Sequence, residues 1–302
     1  MLSRRLLLSA AAALALSAPG GGYAADPIPV VASFSILGDL VRQIAGPDAT
    51  VKTLVGPDGD AHVYQPTPSD AKAVAAAKLV FMNGLGFEGW MNRLLKSSGT
   101  KATAVTVTTG IQPRAAEKDA HGHAHGNVDP HAWQNVAHVQ VMVTNIAAAL
   151  AAADPARAEG YKSRATAYQA DLTALDADIR RQIGALSPAQ RRVITSHDAF
   201  GYYGAAYGIT FLAPQGMNTE SEASAKDVAK LITQMRQQKI KAVFVENISD
   251  PRLTAQLAKE AGATVGGELY SDALSPAGGP ATYYLDLMRA NTKALVAAMA
   301  LN

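Results

Sequence analysis

The chain of 302 residues is 48% hydrophobic and 17% charged, a composition typical of a globular protein with room for two domains of about 100 to 200 residues each. Its 27 Lys and Arg residues nearly balance 25 Asp and Glu residues, which argues against a nucleic-acid-binding surface. Because the chain has no cysteine, disulfides, thiolate nucleophiles and cysteine-ligated metals are excluded. Any metal site must therefore use His, Asp and Glu.

The N-terminal segment 1–24 has the three parts of a cleavable signal peptide. Arg4 and Arg5 precede an apolar run over 6–16, and small residues follow up to Ala24, where we expect cleavage. The apolar run is too short to span a membrane, which takes about 20 residues. The paired arginines leave both the general secretory and the twin-arginine export routes open. Since no cysteine is available for lipid attachment, we expect a periplasmic protein.

Short β-branched runs alternate with helical patterns along the rest of the chain. Strands are predicted over 29–33, 50–55, 79–82 and 104–108 in the first half, and over 192–195, 209–212, 242–246 and 264–268 in the second. The predicted helices between them include 135–153, 224–238 and 251–261. This alternation predicts an α/β fold of two lobes, each a four-stranded parallel sheet flanked by helices.

Between the two halves, residues 155–186 show no strand pattern. Asp154 and Pro155 give a helix start signal, and about 30 residues at 1.5 Å each would span roughly 45 Å. Apolar residues step by three or four along this segment, at Tyr161, Ala165, Tyr168, Leu172, Leu175, Ile179 and Ile183. The pattern predicts one long rigid helix that joins the lobes and permits only small lobe movements on ligand binding. The predicted domains are 25–154, the connecting helix 155–187, and 188–302.

Three of the seven histidines and one aspartate follow predicted strands. His62 comes after the second strand, His131 after the fourth, His197 after the fifth and Asp272 after the eighth. Open α/β sheets bind ligands at the carboxyl ends of their strands, so facing lobes would bring two of these residues each to one cleft. Three imidazoles and one carboxylate suit a tetrahedral divalent metal, zinc above all. Taken singly, each residue could instead be a surface, capping or turn residue.

Three further histidines form a weaker candidate, because they alternate with Gly and Ala at positions His121, His123 and His125. Such a segment could gather metal ions without a fixed geometry, or it could be an ordinary polar loop. His138 lies about 10 Å beyond His131 on a predicted helix, too far to share one metal, and we expect a structural role.

Three other residues are assigned roles outside metal binding. Glu220 and Glu222 precede a helix and are predicted to cap it rather than to support a metal site. Trp133, two residues after His131, is predicted to pack over the cleft.

Three segments carry a family resemblance: 59–70 (GDAHVYQPTPSD), 129–133 (DPHAW) and 196–202 (SHDAFGY). With the two lobes and the long helix, they resemble the cluster A-I solute-binding proteins of zinc and manganese ABC importers, over essentially the whole mature chain. The resemblance implies four metal ligands, His62, His131, His197 and Asp272. The third is a histidine, which is similar to the ZnuA-like zinc branch rather than to the manganese branch with its carboxylate. The long charged His-rich loop of many zinc-branch members is reduced here to three histidines.

The resemblance implies a function in transport. The protein would not be an enzyme, but a periplasmic solute-binding protein that captures Zn²⁺ as cargo in the interlobe cleft and delivers it to the permease of an ABC importer. We expect a monomer, with a periplasmic metallochaperone as a further candidate partner and no nucleic-acid partner. Because imidazoles must be neutral to bind metal, affinity should fall as the pH drops through their range near 6.5.

Three alternatives stay open. Manganese or iron could replace zinc as cargo. A secreted metallohydrolase would need an open coordination position and a general base, for which Asp198 and Glu246 are candidates, whereas four protein ligands would close the site to an activated water. Two lobes could also bind an organic solute, although the rigid helix and the histidines argue against it.

Overall fold

The computed structural model describes residues 26–115, 128–220 and 223–302, which form two α/β lobes joined by a long helix. The N-terminal lobe contains strands β1 (Ile28–Phe34), β2 (Ala49–Val55), β3 (Leu79–Met82) and β4 (Thr103–Thr106) and helices α1 (Ser35–Ala45), α2 (Pro68–Ala76), α3 (Met91–Ser98) and α4 (Val136–Ala153). After the long helix α5 (Ala158–Gly184), the C-terminal lobe contains strands β5 (Arg192–Ile194), β6 (Thr210–Leu212), β7 (Ala242–Glu246) and β8 (Thr264–Leu269) and helices α6 (Gly201–Tyr207), α7 (Ala225–Gln238), α8 (Pro251–Ala261) and α9 (Tyr284–Met299).

Both sheets are parallel and have the same topology. Their strand orders are β2-β1-β3-β4 and β6-β5-β7-β8. In each sheet the direction of the connections reverses between the second and third strands in space, and ligands of open α/β sheets bind at the carboxyl edge beside such a switch point. The predicted fold class, two four-stranded parallel lobes joined by one long helix, is confirmed.

The predicted strands agree with the observed ones to within two residues at each end. β3 and β7 have the predicted bounds. β4 stops at Thr106 rather than at residue 108, because the chain turns there and the N–H of Thr109 donates to the carbonyl of Thr106. The side chain of Thr108 then donates to the carbonyl of Asn83, beyond the end of β3.

α5 begins close to where the sequence predicts, after one turn of 3-10 helix over Pro155–Arg157. The seven apolar positions that define its stripe are all buried. Asp154 is the N-cap residue of the 3-10 turn, but its side chain makes no capping bond and instead accepts hydrogen bonds from Arg157 (2.8 Å) and Tyr161 (3.0 Å). α5 packs against α1 and α4 of the first lobe and against α6 and α9 of the second.

α4 is long and apolar enough to cross a membrane by length and composition, with a mean hydropathy of 1.6. Its buried residues, among them Val139, Val143, Ile146 and Leu150, belong to the hydrophobic core. Because α4 packs along α5 and α1, it has the surroundings of a core helix. That core runs without a break from β1 through α5 to α9 and so reaches both lobes, while a smaller separate cluster in the C-terminal lobe includes residues of β7, α7 and α8.

Candidate metal centre

The four residues predicted at strand ends lie together at the junction of the lobes. His62 follows β2, and His131 lies directly before a 3-10 turn, Ala132–Gln134, that leads into α4. His197 follows β5 and Asp272 follows β8. Each lobe thus contributes two side chains, and one ligand atom from each lies within 4.8 Å of those of the other three.

Asp272 lies between the three imidazoles. Its Oδ2 is 3.2 Å from Nε2 of His62 and 3.2 Å from Nε2 of His197. Its Oδ1 is 3.7 Å from Nε2 of His131. All three rings therefore turn the same nitrogen, Nε2, toward one carboxylate and toward one another.

The facing atoms are buried and have no hydrogen-bond partner. His131, His197 and Asp272 are 0% exposed, and His62 is 7% exposed. The Nε2 atoms of the three histidines and both carboxylate oxygens of Asp272 lack hydrogen bonds. Buried polar atoms in native proteins are nearly always hydrogen-bonded, whereas these five face one another with only ionic contacts of 3.2 to 3.7 Å. A divalent cation would satisfy them all.

The opposite ring nitrogens of two histidines are held by carboxylates. Nδ1 of His131 lies 2.8 Å from Oδ1 of Asp129, and Nδ1 of His197 lies 2.5 Å from Oε2 of Glu246. The other oxygen of Glu246 accepts the backbone N–H groups of Ser196 and His197, both at 2.8 Å. Carboxylates behind metal-bound histidines fix the ring orientation and raise the basicity of the ligand nitrogen. Here they leave Nε2 directed into the centre.

His62 is positioned by its loop and by aromatic packing. Its backbone N–H donates to Oδ1 of Asp60 (2.8 Å), and its ring packs edge-on against Phe87 with centroids 4.7 Å apart. The preceding carbonyl, of Ala61, accepts a hydrogen bond from the indole of Trp90 (2.7 Å). These contacts fix the loop between β2 and α2 at the mouth of the cleft.

Direct hydrogen bonds between the lobes hold Asp272 in place. The indole N–H of Trp133 and the side-chain amide of Gln134 both donate to the carbonyl of Ser271, each at 2.8 Å. The hydroxyl of Tyr284 donates to the carbonyl of Trp133 (2.7 Å). Trp133 is fully buried and packs beside His131, with ring centroids 5.3 Å apart.

Comparison with known proteins identifies the family. The family model for the periplasmic zinc-uptake complex component A, ZnuA, matches residues 30–298. The iron-binding protein YfeA of Yersinia pestis is 35% identical over 281 residues, which cover 93% of this chain and 88% of YfeA. The chain belongs to the ZnuA family. Members of this family are metal-binding, substrate-binding components of transporters and are not enzymes.

Solved structures in this family share the architecture. The zinc-binding protein TroA of Treponema pallidum is 35% identical over 287 residues, which cover 92% of this chain and 91% of TroA. Its structure superposes on this chain with a TM-score of 0.83, covers 91% of this chain and 99% of that one, and is 32% identical. A manganese-bound mutant of a periplasmic metal-binding protein from Candidatus Liberibacter asiaticus is 34% identical, with a TM-score of 0.82 over 89% of this chain and 98% of that one. Of these relatives, one is named for iron and one for zinc, and the third was solved with manganese bound.

The charged groups of the site shift one another's pKa values. Burial lowers the pKa of His131, but Asp272 and Asp129 outweigh it and raise that pKa to about 9. Burial likewise lowers the pKa of His197, while Glu246 and Asp272 raise it well above its ordinary value. Burial raises the pKa of Asp272, and the two imidazoles nevertheless hold it well below its ordinary value. Without a bound cation, the ionised Asp272 carboxylate is therefore paired with the protonated imidazoles of His131 and His197.

The remaining candidates lie apart from this centre. His121, His123, His125 and Glu222 fall outside the described residues. His138 is not in the cluster, and its half-buried ring packs against Tyr202 with centroids 5.0 Å apart, in agreement with the predicted structural role. The prediction that Glu220 caps a helix is wrong, because Ser224 is the N-cap of α7 and accepts the N–H of Asp227. Glu220 lies instead in the wall of a cavity of about 360 Å³ that also includes His62.

Sequence reasoning did not assign the two carboxylates behind the histidines to this role. Asp129 lies in the segment DPHAW, two residues before His131, and a carboxylate at this spacing could have indicated a partner for the imidazole of His131. Glu246 was considered only as the base of a hydrolase. Its contact with His197 joins β7 to the loop after β5, a proximity that follows from the strand order β6-β5-β7-β8 and not from spacing along the chain.

Proposed function

We propose that this chain is a periplasmic binding protein that captures Zn²⁺ as cargo between its lobes and delivers it to the permease of an ABC importer. The observation that carries the proposal is the buried set of unpartnered ligand atoms on His62, His131, His197 and Asp272. Family membership supports the transport role. The proposal includes removal of the signal peptide 1–24 and the domain boundaries 25–154, 155–187 and 188–302.

Zinc is the proposed cargo because of the donor set. Three imidazole nitrogens and one carboxylate are typical of four-coordinate Zn²⁺, whereas Mn²⁺ prefers oxygen ligands in octahedral sites. An iron-binding relative and a manganese-bound relative make metal preference the property to measure, with Mn²⁺ and Fe²⁺ as the competing cargoes.

Hydrolase chemistry is not supported at this site. Four protein side chains would fill a tetrahedral coordination sphere and leave no position for an activated water. Glu246, a candidate base, is occupied by His197 and by two backbone N–H groups. Family membership also argues against an enzyme.

A competition experiment tests the cargo. The mature protein is stripped with a chelator and titrated with Zn²⁺, Mn²⁺ and Fe²⁺, separately and in competition. We expect one Zn²⁺ per chain, held more tightly than either competitor. The variants His197→Ala and Asp272→Asn should each weaken zinc binding by more than about 100-fold, the upper range for changes that leave all ligands in place.

The matched control is His138→Ala, which removes an imidazole outside the cluster and should leave zinc affinity unchanged. Preference for Mn²⁺ or Fe²⁺ at the same residues would keep the transport function and replace the cargo. Zinc binding that survives both ligand variants would overturn the site.

A further inference from the structure

A line of polar contacts leads from the candidate metal centre to the protein surface through Asp129 and Arg114. Asp129 is fully buried, and its Oδ1 accepts the backbone N–H of His131 (3.0 Å) and lies 2.8 Å from Nδ1 of the same residue. Its Oδ2 has no hydrogen-bond partner and lies 3.6 Å from Nη1 of Arg114, whose side chain is 27% exposed. A buried carboxylate is costly without a nearby positive charge. Arg114 supplies that charge on the side of Asp129 that faces away from His131.

The C-terminal lobe is shaped to accommodate this pair. Gly201 is the first residue of α6, and a Cβ at this position would lie 2.4 Å from Nη1 of Arg114 and 2.6 Å from Oδ2 of Asp129. The hydroxyl of the next residue, Tyr202, accepts the backbone N–H of Arg114 (2.8 Å) and donates to the carbonyl of Asp129 (3.1 Å). Any side chain larger than hydrogen at position 201 would therefore force the ion pair to move.

The same two residues are joined through their backbones. The N–H of Asp129 donates to the carbonyl of Arg114 (2.9 Å), next to an isolated antiparallel bridge between Ala115 and Val128. Arg114 is thus held against Asp129 by backbone bonds, by charge and by the helix of the opposite lobe. Arg114 therefore lies directly behind Asp129, the carboxylate that orients His131, and is placed to influence that ligand.

We propose that Arg114 is a positioning residue for metal retention, acting through Asp129 on His131. The inference rests on the proposed metal-binding function. The guanidinium holds the Asp129 carboxylate so that Oδ1 faces His131, and His131 in turn keeps Nε2 directed at the centre. Gly201 and Tyr202, which belong to the other lobe, add to this support.

The test measures the rate at which bound Zn²⁺ is lost to an excess of a chromogenic chelator. Arg114→Gln removes the charge and keeps a polar side chain, whereas Arg114→Lys keeps the charge. Changes behind metal ligands typically cost 10- to 100-fold in affinity, so we expect loss from Arg114→Gln to be about 10-fold faster or more. Arg114→Lys should recover most of the retention, which a mere packing defect would not allow.

Two further variants complete the experiment. Gly201→Ala leaves both charges present but places a methyl group in the space that the pair occupies, and it should accelerate loss as Arg114→Gln does. The control is Arg181→Ala, which removes an exposed arginine paired with Asp178 on α5 and should not change the rate.

The outcomes separate this inference from the proposed function. Failure of the unmodified protein to bind Zn²⁺ overturns both. If the unmodified protein holds one Zn²⁺ and Arg114→Gln releases it at the same rate, only the role of Arg114 is overturned. Equally fast loss from Arg114→Gln and Arg114→Lys would also overturn it, because the charge would then be irrelevant.

Discussion

Asp272 compensates the charge of the site when no metal is bound. Its two oxygens lie 3.2 to 3.7 Å from the Nε2 atoms of His62, His131 and His197, so they occupy the space between ligands that would otherwise face one another. The residue is fully buried, and the imidazoles of His131 and His197 hold its pKa well below the ordinary value, so the carboxylate is ionised there. Binding a divalent cation must therefore exchange protons for metal at the same location.

Zinc binding should release protons over a pH range that reaches above the ordinary imidazole pKa of about 6.5. His131 has a pKa of about 9 in the metal-free protein, so it is protonated at pH 7.5 and must lose that proton to become a ligand. Below pH 9 each such proton should cost about tenfold in apparent affinity per pH unit. Calorimetry in two buffers of different ionisation enthalpy should detect at least one proton released per Zn²⁺ at pH 7.5.

The control for this measurement is His138→Gln. His138 lies outside the cluster, and burial lowers its pKa, so it is mostly neutral at pH 7.5 and its removal should not change the proton count. A zinc affinity that stays constant between about pH 7 and 8.5 would contradict the coupling, since His131 would then be neutral before metal arrives.

The residues of the site were predictable to different degrees. His62, His131, His197 and Asp272 are of ligand types and follow predicted strands, and parallel strands place such residues at one edge of a sheet. The position of Arg114 behind Asp129 could not be read from the sequence, since it depends on the backbone hydrogen bond between these two residues and on the space at Gly201. Contacts of that kind are set by tertiary packing and leave no periodic signal.

At the scale of elements, α5 is the common support of both lobes. Its apolar stripe packs against α1 and α4 on one side and α6 and α9 on the other. Periodicity predicted this stripe residue by residue, because a helix that lies between two layers must repeat its apolar face every three or four positions. The role of Asp154 was predicted less well, because a carboxylate next to Arg157 and Tyr161 gains more from those partners than from capping.

Truncating a buried side chain in the middle of α5 should destabilise both lobes together, rather than one lobe alone. Leu172 is 0% exposed and belongs to the continuous core, so Leu172→Ala should lower the free energy of unfolding by about 2 to 5 kcal/mol. Urea denaturation of the metal-free protein, followed by circular dichroism, measures the change. Because the site lies at the strand ends, the mutant should still bind one Zn²⁺ per chain.

The matched control is the same substitution at an exposed position. Leu301 is 62% exposed, and Leu301→Ala should change the free energy of unfolding by less than about 0.5 kcal/mol. A loss at Leu172 of similar size to that at Leu301 would mean that the lobes are stable without the packing of α5. Two separate unfolding transitions would lead to the same conclusion.

In the whole molecule, the lobes are held together by more than α5. Asp39 of α1 accepts the backbone N–H of Tyr284 at the start of α9 (2.7 Å), and Asp60 accepts the hydroxyl of Thr219 (2.6 Å). The side chain of Asn247 donates to Asp58 (2.8 Å). Together with the hydrogen bonds to Ser271, these contacts join the two lobes directly. Lobes connected in this way cannot open widely without breaking several buried hydrogen bonds and part of the shared core.

Metal binding should therefore move the lobes by no more than about 1 to 2 Å, the range of shifts between packed elements. The chain has no cysteine, so Lys96→Cys on α3 and Lys259→Cys on α8 provide two exposed labelling sites, one in each lobe. Pulsed electron spin resonance on the labelled protein, with and without Zn²⁺, measures the distance between them. The same labels in the His197→Ala variant, which lacks one metal ligand, report any effect of Zn²⁺ on the distance that does not depend on the site. A shift of about 5 Å or more, confined to the protein with an intact site, would show that the lobes close around a hinge and that α5 does not act as a rigid strut.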